Sequence, residues 1–137
     1  MRVFYAFKIN KYFYDIYKNN PYKIYKLLQE IHFIQDYDVN DTKRKLKQIV
    51  DRYNKKEINE QIIDDLYSYS EYFNKENTHI ICDNYEYTKL IVDVYVIKIK
   101  SNQKYPTILK SIKDENIFVC DFINHNFFFL NLEKSIA

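Results

Sequence analysis

The first apolar run, RVFYAFKI, alternates along its length. Val3, Tyr5, Phe7 and Ile9 fall on one side, and Phe4, Ala6 and Lys8 on the other, a spacing that predicts a strand over residues 2–9. Asn10 suits a helix N-cap and predicts a short helix through Lys18; Asn20-Pro21 predicts a second start, because proline at the first helical position gives up no useful hydrogen bond. That second helix carries Ile24, Leu27, Leu28 and Ile31 on one stripe. After the polar string DYDVND, with Asn40 or Asp41 as cap, a third helix aligns Leu46, Ile49, Val50 and Tyr53 and crowds Lys43, Arg44, Lys45 and Lys47 on its other side. The spacing of Ile58, Ile62, Leu66, Tyr69 and Phe73 predicts a fourth helix from about residue 57 to 73.

From THIICD onward the period shortens. Residues 78–83 predict a strand, and KLIVDVYVIKIK, apolar on both sides, predicts a central one. Pro106 predicts the start of a one- or two-turn helix with Ile108, Leu109 and Ile112 inward. The closing NIFVCDFINHNFFFLNL predicts a hairpin with Asn124, His125 and Asn126 in the turn, since asparagine tolerates left-handed backbone better than most residues. The expected fold class is α/β in the broad sense (α+β), a single globular domain over residues 1–137. Its sheet has about five strands with helices packed on it, and the N-terminal strand and C-terminal hairpin lie in the same sheet.

Composition narrows the chemistry. The chain has no glycine, 15 tyrosines and 10 phenylalanines, an excess for which AT-rich codon usage accounts in part. Without glycine there is no phosphate-cradling loop and no dinucleotide fingerprint, both of which need positive φ and close backbone approach. Arg2, Lys8 and Lys11 interrupt the first apolar segment, which excludes a signal-peptide reading, and no apolar run approaches the roughly 20 residues that span a bilayer; the expected location is cytoplasmic. Cys82 and Cys120, in HIICD and IFVCD, are expected to be buried thiols in a reducing compartment.

His32, His79 and His125 stand far apart and fit no zinc-ligand pattern; no metal, no cofactor and no small-molecule substrate are expected. No nucleophile elbow surrounds Ser68, Ser70, Ser101, Ser111 or Ser135, and carboxylates such as Asp64, Asp65, Asp114 and Asp121 are expected to be solvated. The triplet Asn40-Asp41-Thr42 fits a helix cap better than a glycosylation acceptor. The chain is expected not to be an enzyme.

What remains is binding. NKYFYDIYKNNPYKIYK holds more aromatic side chains than one buried stripe can use: Phe13 and Tyr17 share one helical face, Tyr12 and Ile16 an adjacent one, and Tyr14 lies elsewhere. Tyrosine combines apolar area with a polar tip and is enriched at partner-contacting hot spots. The expected partner-binding residues are Phe13, Tyr17 and Tyr14, with Lys11 and Lys18 at the rim. An alternative is nucleic-acid binding, by the lysines interleaved with these rings or by Lys43, Arg44, Lys45 and Lys47. Against it stand a net charge of only +2 and the neighbouring Asp15, Glu30, Asp36 and Asp38.

The order of elements and several strings resemble the SirA family, the sporulation inhibitor of replication proteins of Bacillus-like bacteria. The resemblance is carried by FYAFKINKYFYDIY, with Tyr5, Phe7, Phe13 and Tyr17, by PYKIYKLLQEI, and by FVCDFINHNFFFLNL, with Asp121, Phe122, Leu130 and Asn131. The middle is only loosely similar, the chain is longer around residues 74–90, Tyr12 and Tyr14 replace more polar neighbours, and the basic third helix has no clear counterpart. The resemblance implies a cytoplasmic inhibitor of chromosome replication that binds the N-terminal domain of the initiator DnaA by occupancy, with Phe13 and Tyr17 in the contact. Inhibition of another host or phage protein is the remaining alternative.

Overall fold

The computed structural model describes residues 1–33 and 39–130. In chain order the elements are β1 (Arg2–Lys8), α1 (Lys11–Tyr17), α2 (Pro21–Phe33), α3 (Val39–Ile49), α4 (Lys55–Leu66), β2 (Tyr72–Lys75), β3 (Thr78–Cys82), β4 (Tyr87–Val92), β5 (Ile97–Ser101), a 3-10 helix (Thr107–Ser111), β6 (Ile117–Asp121) and β7 (Asn126–Phe129). The fold is α+β. All seven strands form one antiparallel sheet in the order β2-β3-β4-β5-β1-β6-β7, which places the first strand between the middle of the chain and the closing hairpin.

Period-two alternation gives the sheet two faces of different character. One face collects Phe4 and Ala6 of β1, Leu90 and Val92 of β4, Ile97 and Ile99 of β5, and Ile117 and Val119 of β6 beneath Ile58 and Ile62 of α4 and Ile108 and Ile112 of the 3-10 segment. The opposite face holds Phe7, Phe118, Cys120 and Phe129, and is covered by Ile24, Tyr25 and Leu28 of α2, with Ile49 and Val50 at the end of α3. Tyr53 fastens the crossing between the two layers, its phenol donating to the Ala6 carbonyl at 2.8 Å.

Several expectations are corrected by the fold, among them the solvation expected of Asp121, whose carboxylate is buried and paired with Arg2. The sheet has seven strands, not about five, because two runs hide an extra strand each. In KLIVDVYVIKIK the inward positions change phase, from Thr88, Leu90 and Val92 to Ile97, Ile99 and Ser101, which a continuous strand cannot do. The chain therefore turns at residues 93–96, where the Asp93 N–H donates to the Val96 carbonyl at 3.0 Å and its carboxylate accepts from the Val94 N–H at 2.7 Å. The fourth helix ends at Leu66, and Phe73, placed inside by helical spacing, stands 58% exposed on β2. The turn that returns β2 to β3 puts Glu76 at φ 54°; with no glycine in the chain, positive φ among the described residues falls to Glu76, Asn116 and His125.

Cys82 is exposed rather than buried, because His79 and Ile81 take the inward positions of β3; Cys120 is buried, and burial pushes its thiol well above the ordinary value. Asn40 and Asp41 fall in the first turn of α3 instead of capping it. Asp36, Asp38, Asn131 and Ser135 lie outside the described residues.

Candidate protein-binding site

Asn10 sets the position of α1. Its Oδ1 accepts from the Phe13 N–H at 2.7 Å, the N-cap bond, while its Nδ2 donates to the Gln48 carbonyl at 2.6 Å and its own N–H to the Ile49 carbonyl at 2.9 Å. One side chain thus closes the first turn of α1 and ties it to the last turn of α3. A bridge between Ile9 and Val50 supports the same junction.

The result is an open, largely apolar groove of about 450 Å³. Tyr12 and Phe13 of α1, Leu27 and Ile31 of α2 and Ile49 of α3 form its walls, with Glu30, Lys45 and Gln48 at its margins. Phe13 and Tyr17 pack on each other with ring centroids 4.6 Å apart, both half-buried against the cluster that α2 forms with the sheet. Of the residues expected to bind a partner, Phe13 therefore lines the groove directly and Tyr17 supports it. Tyr14 points to the sheet, its ring edge-on to Phe129 at 5.3 Å. Lys11 pairs with Asp15 at 3.5 Å on the solvent side, and Lys18 caps the helix through its backbone N–H, with its side chain exposed.

The residues most available to a partner are ones that sequence reasoning set aside. Tyr12 is 77% and Ile16 54% exposed, an i,i+4 pair on the outer face of α1. Leu27 and Ile31, placed on one stripe with Ile24 and Leu28, are only half-buried. The available signal was the width of the α2 stripe: with Tyr25 included, its apolar arc exceeds what the sheet covers.

The basic side of α3 is largely occupied by partners within the protein. Arg44 is bonded to Asp41, Lys45 pairs with the same carboxylate at 3.4 Å, and the Lys47 ammonium stands 5.7 Å from the Tyr95 ring centroid. The two cations hold the Asp41 carboxyl below its usual range. A second depression, of about 280 Å³, is polar and lined by Arg2, Lys104, Tyr105, Asn124, His125 and Asn126; its guanidinium is already paired with the buried Asp121 at 3.3 Å.

Among the described residues no group of three or more His, Cys, Asp or Glu side chains is arranged to hold a metal ion, and no helix is long and apolar enough to cross a membrane. His79 is a core residue, its Nε2 2.8 Å from Asn59 Oδ1 and its Nδ1 2.7 Å from the Tyr72 phenol oxygen. His32 stacks on Phe122 at 4.5 Å, and desolvation, with a smaller contribution from Lys98, lowers its pKa. His125 sits in the β6–β7 turn, as expected. No family model matches the chain, and no curated protein matches it.

Proposed function

We propose that this chain is a non-enzymatic, protein-binding inhibitor that acts by occupying its partner, and that the groove between α1, α2 and α3 is where it binds. The observation that carries the reading is the groove itself: an apolar cleft with aromatic walls, beside exposed Tyr12 and Ile16, on a helix tied to its neighbour by Asn10. Aromatic side chains around an apolar centre, with Glu30 and Lys45 at the edge, have the composition of a protein-binding patch. The strings FYAFKINKYFYDIY and PYKIYKLLQEI, which carry the resemblance to the SirA family, form the two helices that build most of this face. The proposed partner is accordingly the N-terminal domain of the replication initiator DnaA, and the consequence is restraint of new rounds of replication in the cytoplasm.

A standard interface buries roughly 1,600 Å² in total, and removal of a central aromatic anchor costs at least about 2 kcal/mol of binding, or some 30-fold. Titration of the DnaA N-terminal domain into wild type, Tyr12→Ala, Phe13→Ala and Tyr17→Ala tests this. Phe13→Ala and Tyr17→Ala are expected to weaken binding by that factor, and Tyr12→Ala, at an exposed position, does so without touching the core. Wild-type affinity in folded variants would show the groove to be the wrong surface, and no binding by the intact chain would remove DnaA as the partner.

A further inference from the structure

Helices α1 to α3 cover the β1, β6 and β7 end of their side of the sheet and reach Tyr95 and Val96 in the β4–β5 turn, and on that side no described helix lies over strands β2 to β5. The outward positions there include Phe73 and Lys75 of β2, Tyr87 and Lys89 of β4, and Lys98 and Lys100 of β5. No acidic residue occupies an outward position on these four strands. None of the four lysines forms an ion pair among the described residues.

The register sharpens the point. Lys89 lies directly opposite Lys100, and Ile91 opposite Lys98, so like charges face each other across neighbouring strands with no carboxylate between them. Such a pairing is destabilising in the free protein and is relieved by an anionic partner. Phe73, 58% exposed, stands at the outer end of the row that runs through Ile80 and Lys89 to Lys100.

We infer that this bare sheet face binds single-stranded nucleic acid, the lysines neutralising phosphates while Phe73 and Tyr87 offer rings on which unpaired bases stack. Aromatic side chains interleaved with cations on an open sheet are the means by which sequence-tolerant single-strand binders work. A duplex presents only its backbone to a flat face, and an acidic protein surface shares the charge but gives the two rings no stacking partner. This inference is independent of the groove and of the partner proposed for it.

The test is fluorescence anisotropy with a labelled single-stranded oligonucleotide of mixed sequence, its duplex form, and polyglutamate as competitor. Each phosphate contact contributes about −0.7 to the slope of log affinity against log salt, so four lysines give a slope of about −3, a loss of roughly 50-fold between 50 and 200 mM salt. Lys89→Gln with Lys100→Gln is expected to halve that slope, and Phe73→Ala to weaken binding about 5-fold or more. The lysines and Phe73 are surface residues, and circular dichroism verifies that the variants fold. Absence of binding at 50 mM salt, a slope unchanged in the double variant, or loss caused instead by Lys43→Gln with Lys47→Gln would overturn the inference. So would duplex binding as tight as single-strand binding, and displacement of the oligonucleotide by polyglutamate at equal charge would reassign the face to an acidic protein.

Discussion

Among individual residues, His79 shows most clearly how a side chain acquires a role from its surroundings. It lies fully buried between Asn59, Tyr72 and Asn74, and the loss of hydration lowers its pKa to about 4. The phenol of Tyr72 donates to Nδ1 and the Nε2 proton goes to Asn59, an arrangement that requires neutral imidazole. The unfolded chain takes up the proton near pH 6.5, whereas the folded chain resists until about pH 4. This stabilising contribution is therefore complete above pH 6.5, falls as the pH drops toward 4, and amounts to roughly 3 kcal/mol over that window. Urea unfolding at successive pH values should show that decline in the wild type and a shallower one in His79→Gln. Equal declines in both would mean that carboxylates alone set the acid sensitivity. The sequence placed His79 in a strand but gave no sign of its partners, which come from β2 and α4 and are brought together only by the sheet.

At the level of elements, local chemistry was legible wherever a cap or a proline marks a boundary. The strand expected over residues 2–9 is found over residues 2–8, and the cap at Asn10 and the start at Pro21 stand where the pattern put them. Elements were misread where two periods overlap. Leu66, Tyr69 and Phe73 share helical spacing although a turn and a new strand intervene, and Val92 to Ile97 spans a phase change that apolarity on both sides conceals. Asn10 also carries a prediction at this scale. Asn10→Ala removes both the cap of α1 and its bond to the Gln48 carbonyl, which should cost about 1–2 kcal/mol in thermal or urea unfolding and loosen α1 from α3. Asn10→Asp restores the cap acceptor but not the donor to Gln48, so it should recover part of the stability and less of the partner affinity. Full recovery of both by Asn10→Asp would mean that the tie to α3 does not shape the groove.

For the whole molecule, the expected α+β sheet joining the first strand to the closing hairpin is what the fold contains, with β1 lying between β5 and β6. Which aromatic residues remain accessible was not legible, because helical spacing sorts side chains into faces without saying which face a neighbouring helix will cover. Phe13 and Tyr17 share a face, as read, but α2 half-covers it; Tyr12 and Ile16 are left outside. The account consequently rests on a surface built by three helices rather than on one aromatic pair. Hydrogen–deuterium exchange with and without the DnaA N-terminal domain tests that surface most directly. Added partner should slow exchange in residues 12–17, 27–31 and 45–49, the segments that line or flank the groove, and leave β2 to β4 unchanged. Protection confined to the sheet, or no protection at saturating partner, would contradict it.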